Sequence, residues 1–310
     1  MMHTKFSFIL PAWKGRYLRE AIRSILGQSY RDFELIVVDD CSPEPLKEIV
    51  GEFQDTRVEY YRNEHNIGGK DLVAQWNHCL QYAHGDYVIL ATDDDLYEPR
   101  FLEEMARLID LYPEVDLLRS RIMQITDDGT ILGMDGYYKE RETFAEFVYN
   151  TMHGMKSGIP QYVFRRTALV EAGGFVSFPK AWAADDASAI RMARNGMAFS
   201  NRVFVNFRLS SGINITSDQS IMPIKTKAML MYYEWLKGQL ATIKATDPYT
   251  DFLFRNTVGF LSIYAKQMIM CQVGPTPILR RLHCLLIIMK GKEFSLRDKL
   301  SILLHTLIRI

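Results

Sequence analysis

Along the first 120 residues, short apolar runs alternate with stretches whose apolar positions recur every three or four residues. Residues 6–10, 34–38, 58–61 and 87–91 have the length and the β-branched or aromatic content of buried strands. Between them, residues 17–28 set Leu18, Ala21, Ile22, Ile25 and Leu26 on one helical face. Residues 45–53 read as a second helix, and residues 71–84 align Leu72, Val73, Trp76 and Leu80. Pro99 falls where the first position of a helix running to about Leu111 is expected. This alternation predicts an α/β fold, a doubly wound and mostly parallel sheet with helices on both faces. Ligands of such sheets bind at the carboxyl ends of the strands. Leu10-Pro11, Asp39-Asp40 and Asp93-Asp94-Asp95 all fall at such ends.

From residue 115 to about 216 the pattern mixes short strands (117–119, 161–164, 198–207) with helical pieces (143–150, 166–172, 186–195). After residue 219 it is helical, which places a boundary near residue 218. Charge divides at the same point. Residues 219–310 carry 13 Lys and Arg against 5 Asp and Glu, and an acidic excess before them brings the whole chain to a formal net charge of zero. A basic region of this kind favours anionic surfaces such as phospholipid headgroups. Ser295 and Asp298 have capping-box spacing, and Leu296, Leu300, Leu303, Leu304 and Leu307 follow on one face. Such basic amphipathic helices lie at a membrane surface, or pack on the preceding domain or on a second subunit.

Other features narrow the class. No run approaches 18 apolar residues, and the run before Pro11 is five residues long, so neither a transmembrane helix nor a signal peptide is expected. Cys41, Cys79, Cys271 and Cys284 are scattered, which indicates no zinc site or disulfide framework and suits a reducing cytosol. The first strand-to-helix turn, FILPAWKGRY, lacks the glycine patterns of dinucleotide folds and P-loops. The stretch ATDDDLYEP concentrates three carboxylates after an apolar run, where their mutual repulsion calls for a cation. Mg²⁺ or Mn²⁺ takes one or two such carboxylates and completes its shell with water and phosphate oxygens. Helix capping before Pro99 accounts for one of the three, or two, but poorly for all.

Four segments, in order, then carry a resemblance: FSFILPAWKGRYLREAIRSILGQSYRDFELIVVDDCS, RNEHNIGG, GDYVILATDDDLYEP and WAADDASAIRMARNG. Over residues 4–216 the chain resembles family 2 glycosyltransferases of the GT-A fold, of the bacterial surface-polysaccharide type. The resemblance implies a GT-A domain over residues 1–218, with a nucleotide-binding half to about residue 120 and an acceptor-binding half from 121 to 218. A basic helical region, 219–310, extends it. Pro11 and Trp13 would line the nucleobase pocket, and Asp40, with Asp39 beside it, would accept the imide N–H of uracil. Asp93, Asp94 and Asp95 spell the family's D-x-D directly. Counted back from Pro99, Thr92 replaces the first Asp, Asp93 touches the ribose, and Asp94 is the metal ligand with Asp95 a second. Asn66 and Lys70 would face the nucleotide from the loop at 66–70, and Asn77 would sit beside the donor. Gly173-Gly174-Phe175 would form the turn before the acceptor site, with Trp182 against the acceptor or in the core. Asp185 or Asp186, opening a helix before Arg191 and Gly196, would be the catalytic base. Arg208 and Asn214 would close over the diphosphate.

The resulting expectation is an enzyme dependent on Mn²⁺ or Mg²⁺. It moves a sugar, with inversion, from a nucleotide diphosphate (a UDP-sugar first) to a hydroxyl of a glycan or lipid-linked acceptor. It would work in the cytoplasm or peripherally on the cytoplasmic face of the membrane, with no nucleic-acid partner and with oligomerisation open. Two alternatives stand beside it. A nucleotidyltransferase would need more basic residues near the first strand than Lys14 and Arg16, and a non-catalytic sugar-nucleotide or glycan-binding module would not need Asp185-Asp186.

Overall fold

The computed structural model describes residues 5–210, 215–242 and 245–308. Asn214, expected near the diphosphate, and Arg309, expected off the apolar stripe of the last helix, lie outside the described residues. The described residues form ten strands: β1 (Phe6–Ala12), β2 (Phe33–Asp39), β3 (Val58–Arg62), β4 (Tyr87–Leu90), β5 (Leu96–Tyr97), β6 (Leu117–Ile125), β7 (Ile131–Met134), β8 (Arg141–Glu142), β9 (Tyr162–Arg165) and β10 (Met197–Arg208). They build one sheet in the order β3-β2-β1-β4-β9-β6-β10-β5, with β7 beside β6 and β8 beside β10. The β3-β2-β1-β4 block is parallel, as is β6 with β10, while β9 runs antiparallel between β4 and β6.

Period-2 alternation along the strands decides which side chain joins which core. In β1, Phe6, Phe8 and Leu10 enter one apolar cluster and Ile9 the other; in β4, Tyr87 and Ile89 oppose Val88 and Leu90. The first cluster is covered by α1 (Leu18–Leu26), α2 (Leu46–Gly51) and, separated from it in sequence by α3 (Leu72–Leu80), α4 (Phe101–Leu111). The second is covered by α3, α5 (Phe144–Met152), α6 (Arg166–Glu171) and α7 (Ala184–Met192). This is the expected doubly wound α/β arrangement.

Two expectations change. Pro99 does not open α4. Leu96 and Tyr97 first pair with Asn206 and Val205, so the helix starts two residues after the proline. β6 runs on to Ile125 and turns through Gly129 (φ 85°) into β7, a hairpin that the sequence pattern did not predict. The C-terminal region consists of α8 (Met222–Ala241), α9 (Pro248–Val273), α10 (Ile278–Lys290) and α11 (Leu296–Ile308). It shares the second apolar cluster, with Phe178 edge-on to Tyr232 and Trp235, and Phe144 against Phe254.

The single leucine stripe expected on α11 divides for the same reason. Ile302 is buried and Leu303 and Leu307 pack on the core, while Leu296, Leu300 and Leu304 are exposed. Asp298 accepts from Ser295 Oγ at 2.8 Å and from Lys266 Nζ of α9, also at 2.8 Å, so the cap doubles as a tether. Exposed leucines continue along α10 at Leu279, Leu282 and Leu286. Among the described residues no helix is long and apolar enough to cross a membrane.

Candidate active site

The carboxyl ends of β1, β2 and β4 open onto a cavity of about 670 Å³. Its first wall is the β1–α1 turn, held by a carboxylate from the neighbouring strand. The backbone N–H groups of Trp13 and Lys14 donate to Asp93 Oδ2 at 3.0 and 2.8 Å. Burial, and then the charge of Asp94, push the Asp93 carboxyl up to about 6 against the pull of those two donors. Asp95 is fully buried and accepts from the Thr92 hydroxyl and from the backbone N–H of Arg208, the latter at 2.7 Å. Burial and Asp94 raise it well above the carboxylate range. Asp94 lies between the two, buried, on the cavity wall.

The three acids therefore diverge, and among the described residues no three His, Cys, Asp or Glu side chains gather as a metal cage. A phosphate-bridged Mg²⁺ or Mn²⁺ does not need one. Burial and the Asp94 charge hold Asp93 and Asp95 above the ordinary carboxylate range, and a cation at the triplet would offset that repulsion. All three carboxylates line the cavity, so the donor set fits such an ion.

Asp40 lines the second wall. Its carboxylate accepts from Asn63 Nδ2 and from the backbone N–H groups of Ile67 and Gly68, at 2.8, 2.8 and 2.7 Å. The loop carrying Asn66 is folded around it, and a side chain at Gly68 would stand 3.0 Å from Asp40 Oδ2. Asp39 points elsewhere. It is fully buried and binds Ser42 N (2.7 Å), the Tyr60 hydroxyl (2.6 Å) and Arg62 beneath the turn, where Cys41 takes a left-handed φ of 58°. Removing it leaves the Ser42 N–H and the Tyr60 hydroxyl without their acceptor. Asp39→Ala is expected to cost about 1–3 kcal/mol in urea unfolding, the range for leaving buried donors without their acceptor.

The opposite wall is the start of α7. Lys180, Ala181 and Ala183 adopt left-handed backbone (φ 57°, 54° and 62°), and this strained segment delivers Asp185 and Asp186 to the cavity. Asp185 Oδ1 accepts from the N–H of Asp186 at 3.0 Å. Asp186 Oδ1 is buried without a hydrogen-bond partner. Burial, then the Asp186 charge, push Asp185 up to about 7. Asp186 is also raised by burial, while Ser157 and the buried Arg119 oppose the shift. Lys180 Nζ reaches across the mouth to Gly69 O at 3.0 Å.

These shifts have a sign. The folded carboxyls of Asp93 and Asp185 titrate above the ordinary value, so between pH ~4 and 7 the folded chain holds protons that the unfolded chain has released. Stability therefore falls as pH rises through that window and levels off above it. Thermal melts in chelator from pH 5 to 8 are expected to show a falling Tm, with a smaller fall in Asp185→Asn.

Residues 7–169, more than half of the chain, match the model of glycosyl transferase family 2. The chain belongs to this family. It is 33% identical over 120 residues to an uncharacterized glycosyltransferase of Methanocaldococcus jannaschii, covering 38% of this chain and 40% of that one. It is 36% identical over 99 residues to WcaA of Escherichia coli, provisionally named a colanic acid biosynthesis glycosyl transferase, covering 31% and 34%. The chain thus spans two fifths or less of the length of these curated relatives.

Two solved structures share the fold. One is Staphylococcus aureus TarS (residues 1–349) with UDP-GlcNAc, at 18% identity and TM-score 0.61, covering 96% of this chain and 90% of that one. The other is the mannosyltransferase PcManGT of Pyrobaculum calidifontis with GDP-Man and Mn²⁺, at 14% identity and TM-score 0.55, covering 99% and 81%.

Against the residues expected from the family pattern, Pro11, Trp13, Asp40, Asn66, Asp93, Asp94, Asp95, Asp185 and Asp186 all line the one cavity, as does Trp182. Asp39, Lys70, Asn77 and Arg208 do not. Lys70 is exposed. Asn77 accepts the Phe175 N–H at 2.7 Å and so pins the Gly173-Gly174 turn. Arg208 is buried beneath the acidic triplet, bound to Asp94 O (3.0 Å), Asp127 O (2.9 Å) and Glu20 (3.0 Å), with its guanidinium 4.1 Å from the Tyr17 ring centroid. It braces the triplet from behind and cannot face a diphosphate across it.

The cation that sequence reasoning missed is Lys180, five residues before Asp185. The left-handed backbone that turns it inward has no sequence signal in a non-glycine residue. Lys180→Ala is expected to weaken nucleotide diphosphate binding about tenfold in titration calorimetry, the loss of one charge-assisted hydrogen bond.

Proposed function

We propose that the protein transfers a sugar from a nucleotide diphosphate donor to an acceptor hydroxyl. The observation that carries this reading is that the strand-end triplet and the helix-start pair, 90 residues apart in sequence, face one cavity. One acidic group suits a diphosphate with its cation, and the other suits proton removal. Asp185, raised to about 7, is matched to take a proton near neutral pH. In the transfer, Asp185 takes the acceptor O–H proton and the oxygen attacks the anomeric carbon. The bond from that carbon to the diphosphate oxygen breaks, and its electron pair leaves on the diphosphate. Attack opposite the leaving group inverts the centre. A divalent cation, Mn²⁺ or Mg²⁺, held by Asp94 with Asp95 behind it, would supply neutralisation of the diphosphate charge.

For the base, we favour uracil. Asp40 offers a carboxylate at the strand end beside Pro11 and Trp13, and an imide edge presents a donor to it. Support for the donor class and the metal comes from the fold neighbours, one holding UDP-GlcNAc and the other GDP-Man with Mn²⁺. Support for a role in surface-polysaccharide assembly comes from the Escherichia coli relative's name.

A glycan or lipid-linked acceptor, met by a protein lying peripherally on the cytoplasmic face of the membrane, fits the exposed leucines and basic residues of α10 and α11. Sedimentation with anionic vesicles, absent with neutral ones, is the expected sign of that contact. Incubation with a panel of UDP-, dTDP-, GDP- and CDP-sugars tests the activity. Release of one nucleoside diphosphate, abolished by chelator, is expected; no release from any sugar nucleotide, with or without cell-wall glycan extract, contradicts it.

A further inference from the structure

The cavity does not end at Asp185 and Asp186. Beyond them its lining passes to the C-terminal helices, with Met229 and Tyr232 from α8 and Tyr264, Met268 and Gln272 from α9. None of these lies in the segment matching the family model. Tyr232 is 1% exposed, and its hydroxyl is buried without a hydrogen-bond partner although it lines the cavity. Its ring is held on both sides, 6.0 Å edge-on to Phe178 and 6.2 Å stacked with Trp235, so the hydroxyl has little freedom to swing toward solvent. Asp186 Oδ1 is a second unpartnered buried atom on the same lining. Burial, with Tyr264 and then the acid pair adding to it, raises the Tyr232 phenol.

A buried polar atom left unpaired is costly, so an unpartnered donor and an unpartnered acceptor on one cavity lining point to a ligand that satisfies both. Around them the walls are flat and apolar at Trp182, Met229 and Met268. A ligand with hydroxyls on its edge and C–H groups on its faces matches that lining, and this is the chemistry of a sugar ring. We infer that α8 and α9 build the acceptor subsite, in which the Tyr232 hydroxyl and Asp186 Oδ1 bind hydroxyls of a pyranose ring packed against Met229 and Met268. Tyr232 donates to one ring hydroxyl, and Asp186 Oδ1 accepts from another. The C-terminal helices thus complete the site as well as the fold.

This inference rests on the transferase reading of the same cavity, and the test separates the two. Saturation-transfer NMR with methyl pyranosides of gluco, galacto, manno and N-acetylglucosamine configuration is run in the presence of UDP and Mn²⁺, with UDP binding followed in the same samples. Wild type is expected to bind UDP and at least one pyranoside. Tyr232→Phe keeps the ring packing and is expected to weaken that pyranoside roughly five- to tenfold with UDP binding unchanged.

Pyranoside binding unaltered in a folded Tyr232→Phe overturns the inference, as does a wild type that binds UDP but none of the pyranosides. A wild type that binds no nucleotide overturns the transferase reading, and the inference with it.

Discussion

Asp185→Asn is expected to lower transfer by about 10²–10⁴-fold while leaving nucleotide binding within a few-fold of wild type, the loss typical of removing a general base. The substitution keeps size and hydrogen-bonding shape in a segment whose backbone is already strained at Ala183. The pH profile identifies the base more sharply than the rate does. Wild-type kcat/KM is expected to fall on the acid side of about pH 7, as the raised Asp185 carboxyl becomes protonated. Asp186→Asn removes the like charge that raises it, so the acid limb should move to lower pH with much of the turnover kept. An acid limb that stays in place, or a greater loss of turnover from Asp186→Asn than from Asp185→Asn, would assign the base to Asp186.

Asp94→Ala carries the second large effect. Asp93 and Asp95 are committed to the protein, one to the Trp13 and Lys14 backbone and the other to Thr92 and Arg208. Neither can readily replace Asp94 at a cation. The variant is expected to lose about a hundredfold or more of metal-dependent nucleotide affinity yet to remain folded. It is also expected to gain stability in chelator, because removing the central charge of the triplet relaxes both neighbours.

Much of this geometry was legible in the chain. Strand ends could be read because period-2 alternation in a two-face sheet leaves long apolar runs that stop where polar residues begin, as at Leu90-Ala91-Thr92. Parity could have said more. Adjacent strand residues point to opposite faces, so Asp39 and Asp40 could not both reach the ligand, and the partner of Val37 in phase is Asp39. Arg208 illustrates a different failure. A basic residue at a strand end reads as a phosphate ligand, but a buried guanidinium takes the nearest carbonyls and carboxylate, here behind the triplet. Lys180 and Tyr232 were out of reach for a third reason. Each enters the cavity through tertiary placement, one by a left-handed turn and one by a helix packed from the far end of the chain.

Titration calorimetry with UDP, dTDP, GDP and CDP tests the central claim most directly. It would be run with Mn²⁺ and with chelator, on wild type and on Asp94→Ala. The account predicts selective binding of UDP by wild type in Mn²⁺, abolished by chelator and by the substitution. Binding of none of the four by folded wild-type protein would contradict it, and would leave Asp93, Asp94 and Asp95 as braces of the strand ends alone.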